Sequence, residues 1–307
     1  MNDIRVDRGS ATILMMLIAS VIITVGLGFN WLVKEHIHAS EGLKRKADAI
    51  MKARSAYDAI IYLVLTGRVT QTGIDLPEFP EVSSLRTLPL DGQEVLFVDD
   101  VYVRLKDSNG KISLTTPNMG ALARLIEKMT GRDSVSNQID NFVDWIDPDN
   151  LVRVNGAEDF YYKGESRSFT ARNYALQYQE EFGFIKDFGI ELYGRLKPYL
   201  TMLPSSGFNP NTASGEVLKA YLDINEDSRK ALQDYIAKKP VASNVELFSL
   251  TGRQIDYNIE GVYFYPSLYM DAAIRVGRPR SLYSISAGLD ITPKPYAPYG
   301  ILYWREE

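Results

Sequence analysis

The pattern of apolar and polar positions changes character three times along the chain. From Ser10 to Val33 there is no charged side chain, only a run of aliphatic, small and a few aromatic residues. At about 1.5 Å per helical residue this run reaches about 36 Å, enough to cross a hydrocarbon layer of about 30 Å. It therefore reads as a membrane-spanning helix. Its apolar core exceeds the roughly 7–15 residues of a secretory signal, and Asn30-Trp31-Leu32 is a poor cleavage site, so the span reads as retained. Past it, Leu43, Ala47, Ile50, Tyr57, Ile61 and Val64 recur at helical spacing, with Lys44, Arg45, Lys46, Asp48, Lys52 and Arg54 between them. This predicts one long helix, apolar all round and then amphipathic, ending at Thr66-Gly67. One reading is an anchor with a stalk. The sharper one lays the second half on a β-sheet and the first half beside sister copies in a filament.

The next stretch has strand periodicity. Gly67, Gly73, Pro77 and Pro80 predict a loop from Thr66 to Thr87. Glu94–Val98 and Val101–Leu105 are strand candidates, and Asp107-Ser108-Asn109-Gly110 is a turn leading to Lys111–Leu114. From Pro117 the period becomes helical, over Met119–Met129 and Ile139–Ile146. Helical hairpins follow at Glu180–Leu200 and Ser214–Ile236. These two form a weak repeat, with Leu196, Tyr199 and Leu200 matched 36 residues later by Leu232, Tyr235 and Ile236. Asn211–Glu216 carries a helix-capping signal at the start of the second copy. Beyond Pro240 strand-like runs return at Gln254–Ile259, Met270–Val276, Ser281–Ile285 and Ile301–Trp304. Strands split by a helical block predict an α+β fold, one sheet domain with an α insertion.

Composition narrows the chemistry. The 307 residues leave room for about two domains. Lys and Arg number 34 against 39 Asp and Glu, a net charge of −5, which disfavours a polyanion partner. The hairpin tips, Asp187-Phe188-Gly189 and Leu222-Asp223-Ile224, lack the Gly-x-Gly that receives a phosphate and sit near Glu180 and Glu181. They read as structural, with no nucleic acid bound. The chain has no cysteine, which excludes disulfides, thiolate zinc sites and a Cys nucleophile. Its only histidines, His36 and His38, lie beside the span and, two apart on a helix, point to different sides. No Gly-x-Ser-x-Gly or phosphate loop occurs. Paired acids such as Asp147 and Asp149 imitate a glycosidase dyad but are commoner as loop structure. The chain reads as a non-enzyme, with a membrane-tethered periplasmic hydrolase as the alternative.

One cluster stands out. Asp144, Asp147, Asp149, Glu158 and Asp159 place five carboxylates within sixteen positions. Hard oxygen ligands on an irregular loop suit calcium, although the spacing is not that of an EF-hand. The competing reading is capping and loop hydrogen bonding, since Asp147-Pro148-Asp149-Asn150 is a good turn by itself.

The residues resemble those of type II secretion system protein K, a minor pseudopilin family. The resemblance rests on four places. Arg8-Gly9 before a small residue and an apolar helix is similar to a prepilin cleavage motif. Asn141-Phe-Val-Asp-Trp-Ile-Asp-Pro-Asp-Asn150 with Gly156-Ala-Glu-Asp-Phe-Tyr-Tyr162 is similar to the family's most specific segment. Leu192–Pro204 through Asn211-Thr212-Ala213 looks like the start of its second helical block, and Tyr303-Trp304-Arg305 like its closing strand.

Several expectations follow from that resemblance. A prepilin peptidase would cut after Gly9 and methylate the new amine of Ser10. The residues before the cut would lie in the cytoplasm and the bulk of the chain in the periplasm, a single-pass inner-membrane topology. Charge alone does not decide the orientation, because Arg5 and Arg8 precede the span while Lys34, Lys44, Arg45 and Lys46 follow it. The fifth mature position, Glu in most pseudopilins, is Leu14 here, as is characteristic of protein K. A carboxylate in hydrocarbon costs several kcal/mol unless paired with the amine of the subunit ahead. A tip subunit has nothing ahead of it. The implied partners are other minor pseudopilins, the major pseudopilin, the prepilin peptidase, the inner-membrane assembly platform and membrane lipid. The family also binds calcium, which favours the metal reading of the acidic cluster. A type IV pilus minor pilin is the nearer variant of this reading.

The resulting division is a leader over 1–9, a transmembrane half-helix over 10–33, the first part of a pilin-like domain over 34–115, a helical insertion over 116–240 and closing strands over 241–307. Gly26 and Gly28 each weaken a helix interior by about 1 kcal/mol relative to Ala, which marks a candidate place for unwinding when the helix leaves the bilayer.

Overall fold

The computed structural model describes residues 10–76, 85–132, 134–165, 167–253 and 261–307. Helix α1 runs unbroken over Ser10–Thr66, ending where the sequence predicts. The chain divides into two compact units inside this helix, between Lys52 and Ala53.

The described part of the first unit is helix alone. Its apolar side chains are exposed from Ile13 to Val33, Leu14 among them. It is the one helix among the described residues long and apolar enough to cross a membrane. Gly26 and Gly28 are helical, with open space where a Cβ would stand. Leu43, expected on a buried stripe, is exposed. Gly9 lies outside the described residues, and Ser10 opens the helix.

In the second unit α1 buries Ala53, Ala56, Tyr57, Ile60, Ile61, Leu63 and Val64, the amphipathic stripe its spacing requires. Three short strands follow: β1 (Arg68–Val69), β2 (Gly73–Asp75) and β3 (Thr87–Pro89), antiparallel in the order β1-β2-β3. A loop was expected there. Ile74 and Leu88, opposite each other in the register and fully buried, give the segment its own apolar contact, which glycine and proline content does not report.

The main sheet contains β4 (Asp91–Val98), β5 (Val101–Asp107), β8 (Tyr269–Val276), β9 (Tyr283–Asp290) and β10 (Gly300–Glu306), all antiparallel, in the order β10-β9-β8-β5-β4. Its inner face is built in cross-strand rows. Val103, Ile274 and Ile285 form one, and Leu105, Ala272, Ala287 and Trp304 the next. Alternating burial along β8 shows the period of two expected of a half-buried strand. Tyr57 meets Trp304 edge to face at 4.8 Å, and Arg54 pairs with Glu306 at 3.3 Å, so the end of α1 lies on this face.

Residues 108–268 interrupt the sheet between β5 and β8. The described residues among them hold β6 (Ile112–Ser113) and β7 (Leu200–Thr201), paired in parallel, and seven α-helices: α2 (Met119–Thr130), α3 (Ser136–Ile146), α4 (Asp159–Gly164), α5 (Gly189–Leu196), α6 (Gly215–Leu222), α7 (Glu226–Ile236) and α8 (Asn244–Thr251). The insertion has two cores, one around Leu122, Leu125, Phe142, Tyr162, Phe182 and Leu196, the other around Phe208, Val217, Leu218, Leu232, Val241 and Leu247. The helical block runs past the expected boundary at 240. Ser243 caps α8 by accepting from the amide of Glu246, and Gly252 ends it in the left-handed region. Gln254–Ile259, expected as a strand, lies outside the described residues.

The repeat takes a modified form. The second copy is a true helical hairpin of α6 and α7. In the first copy a 3-10 turn over Gln179–Phe184 stands where a helix was expected, anchored by Phe182 against Phe142 and Phe188. The tips correspond: Asp187 and Asp223, 36 residues apart, are both left-handed, with φ of 67° and 51°. Asn211, expected in a capping region, is buried instead and donates to the carbonyls of Val241 and Phe264. Ser214 is the residue that precedes α6.

Candidate metal centre

The acidic cluster forms where α3 ends and the chain loops to α4. Asp144 sits in the last turn of α3 and is fully buried; Asp147 follows as the C-cap. Pro148 turns the chain outward, and Asp149 accepts the amide of Leu151 at 2.8 Å, holding the loop in a tight turn. Asn173 fastens the loop from outside, donating to the Asp149 carbonyl and the Asn150 side chain. The chain returns beneath Asp144 at Gly156. A Cβ there would fall 1.8 Å from an Asp144 carboxylate oxygen, so a side chain at this position would have to displace that carboxylate. Glu158 then comes inward just before α4.

The structure sorts the five expected ligands. Carboxylate oxygens of Asp147, Asp149 and Glu158 lie within 4.8 Å of one another. Asp144 is not in that group; the Arg153 guanidinium donates to it at 2.8 Å and the Arg153 amide at 3.1 Å. Asp159 also stands apart, paired with Lys163 one helical turn on at 3.0 Å. Sequence reasoning passed over Arg153, which also donates to Asp147 at 2.5 Å. A lone cation inside an acidic run was the signal for it. The two carboxylates hold the Arg153 guanidinium well above its usual range.

Glu158 is the anomaly. Its residue is 2% exposed, and among the described residues neither carboxylate oxygen has a hydrogen-bond partner; Oδ1 of Asp147 is likewise bare. Burial, reinforced by the charges of Asp144, Asp147, Asp149 and Asp159, pushes the Glu158 carboxyl up to about 7. A buried anion without donors is costly unless a cation meets it. Three converging carboxylates, one of them orphaned, make a donor set of the hard-oxygen type that calcium takes. Below the loop, Trp145, Tyr162 and Phe169 pack edge to face or tilted at 5.2–6.0 Å, a rigid floor for the site.

Residues 103–205, from β5 through the acidic loop to β7 and just beyond, match the family model described as type II secretion system (T2SS), protein K. Over that segment the chain is similar to that family. It is 25% identical over 251 residues to type II secretion system protein K of Aeromonas hydrophila, covering 73% of each chain. With the protein of the same name from Pectobacterium carotovorum subsp. carotovorum it shares 27% over 152 residues, 47% of this chain and 46% of that one. Among solved structures it is similar to a chain in the crystal structure of the GspK-GspI-GspJ complex from the enterotoxigenic Escherichia coli type 2 secretion system. The TM-score is 0.57 and the identity 17%, over 87% of this chain and 99% of that one. That likeness carries the fold, which is pilin-like: a long N-terminal helix, an antiparallel sheet and an added helical block. The matched segment contains all five acidic residues and Arg153.

Proposed function

We infer that this chain is a minor pseudopilin of a type II protein secretion system. The observation that carries the reading is the match over residues 103–205, which covers the insertion's acidic loop and first core, the parts that set this chain apart from a plain pilin domain. Its work is assembly. The exposed apolar half of α1 holds the protein in the inner membrane and, once withdrawn, packs beside the same helix of other pseudopilins. The bulk of the chain then faces the periplasm, and the insertion is volume that stops another subunit stacking above. With Leu14 where a pairing carboxylate would stand, the chain has no side chain to bind the amine of a subunit ahead, which suits the filament tip. The partners on this reading are other minor pseudopilins, the major pseudopilin, the prepilin peptidase and the assembly platform. The solved complex of GspK, GspI and GspJ supports the first of these by its composition. No catalytic role is assigned.

Mass spectrometry of the protein from its native membrane tests this reading. The expected N-terminus is N-methylated Ser10; an intact Met1 overturns it. Co-purification with small pseudopilins, rather than with pilins, separates a secretion system from a pilus.

The acidic loop is proposed as a calcium site, with Asp147, Asp149 and Glu158 as its protein ligands. A bound divalent ion supplies positive charge to a buried cluster that otherwise repels itself. Arg153 supplies the remaining countercharge to Asp144 and Asp147 and keeps the loop closed. Calorimetric titration of the full chain in detergent is expected to give saturable calcium binding that Asp147→Ala with Asp149→Ala abolishes. At a calcium concentration of about 100 times Kd the melting free energy should rise by about 2.7 kcal/mol. Identical heats for the two proteins would remove these ligands.

A further inference from the structure

A cavity of about 490 Å³ lies against Tyr161 of α4 and gathers three cationic side chains. Its walls include Arg132, just past the C-cap of α2, Tyr161 of α4, Arg167, and Phe184, Lys186 and Phe188 from the turn leading to α5. Most cations of the second unit are matched to carboxylates: Arg275 and Arg278 crowd Glu94, Arg153 bridges Asp144 and Asp147, and Arg229 meets Glu226. The three here are different. Among the described residues, none has a carboxylate oxygen within the 4.0 Å of an ion pair. Lys186 instead lies over the Tyr161 ring at 4.7 Å, and Arg167 over Phe169 at 5.8 Å. Among the described lining residues the one acid is Asp187, whose carboxylate accepts from the side-chain amide of Asn141 at 3.0 Å. Gly189, which opens α5, also lines the cavity, and no side chain caps that helix, so its first amides add positive potential to the same wall.

In a chain of net charge −5, three cations that make no ion pair among the described residues, set against the single carboxylate of Asp187, give one concavity a local field for an anion. The arrangement also selects among anions. The charges are spread around aromatic side chains, Phe184 being half exposed and Tyr161 partly so. A compact phosphate would engage one or two of the cations and leave the rings in water. A peptide carrying carboxylates among apolar side chains meets both, and Arg guanidinium suits a carboxylate through paired donors. We propose that this cavity docks an acidic peptide segment of another protein, its carboxylates received by Arg132, Arg167 and Lys186 and its apolar side chains by Tyr161 and Phe184. The proposal does not depend on metal at the neighbouring loop or on the secretion reading.

The test is fluorescence anisotropy on the full chain in non-ionic detergent. The probe is a labelled hexapeptide, Glu-Leu-Glu-Tyr-Asp-Glu, compared with its counterpart in which Gln and Asn replace the acids. Expected is saturable binding of the acidic probe at least 10-fold tighter than the amide probe, weakening as sodium chloride is raised. Arg132→Ala with Arg167→Ala should lose at least 10-fold, and Lys186→Gln a smaller factor. Both wild-type-like melting and an unchanged affinity in Lys238→Ala, an exposed cation elsewhere, keep the loss specific. Equal binding of the two peptides overturns the proposal, as does full affinity in the double Arg variant. Displacement of the acidic probe by inorganic phosphate at matching affinity also overturns it, showing a site for small oxyanions.

Discussion

At the scale of single residues, Glu158 is the side chain on which the acidic loop turns. Its carboxyl is raised from 4.5 to about 7, so between those values the folded chain holds a proton that the unfolded chain has released. The sign follows directly: stability of the metal-free protein is expected to fall as pH rises from about 4.5 to about 7, because the folded state there binds more protons. Thermal melting of calcium-free protein across that range checks it. Glu158→Gln should flatten the slope and raise the melting temperature at pH 7, since it removes a buried charge while keeping the shape. A melting temperature that climbs over the same interval would contradict the raised carboxyl. The five acids were legible in the sequence as a cluster, but their division into three converging carboxylates and two that stand apart was not. That division depends on Arg153 and Lys163, whose side-chain directions are set by the loop and by α4.

Among elements, the contact that decides the architecture of the second unit is the end of α1 on the sheet. Tyr57 is 5% exposed and meets Trp304 of the terminal strand β10. Truncating a buried aromatic costs about 3–5 kcal/mol, and an edge-to-face pair adds about 1 kcal/mol beyond area. Tyr57→Ala is therefore expected to destabilise by about 3 kcal/mol. A double-mutant cycle with Trp304→Ala should show a coupling of about 1 kcal/mol, measured by denaturant titration in detergent. Additive losses would mean the rings do not interact. The stripe on α1 and the alternation on β8 were readable because each is a local period, 3.6 or 2, imposed by burial of one face. The 3-10 turn at Gln179–Phe184 escaped that logic. Phe182 is held by Phe142 and Phe188, so a tertiary contact overrode the helix period.

The whole molecule has to join a sheet to an insertion placed inside it, and Asp107 makes the junction. At the end of β5 and fully buried, it accepts hydrogen bonds from the amide of Asn109, the side chains of Asn209 and Thr212, and both the amide and hydroxyl of Ser267. Those partners stand at the start, middle and end of the inserted segment, so one carboxylate ties all three passes of the chain together. Asp107→Ala would leave several buried donors unsatisfied and is expected to destabilise by about 3–5 kcal/mol. The loss should be read by melting and by increased proteolysis of the insertion. Asp107→Asn, which keeps the shape but removes acceptor capacity, should cost less. A melting temperature unchanged in Asp107→Ala would show that the insertion is held elsewhere.

What the sequence determined alone are properties carried by neighbours along the chain: the uncharged span, the helix that continues it, the strands with period two, the positions of the two hairpin tips, and the concentration of acids near Trp145. Each needs nothing beyond a residue and those a few positions away. Only the tertiary structure decided which acids face one another, that Glu158 is left without a donor, that Asp107 meets Ser267 across 160 positions, and that Arg132, Arg167 and Lys186 surround one cavity. Those facts depend on side-chain direction and on contacts between distant segments, which local periodicity does not encode.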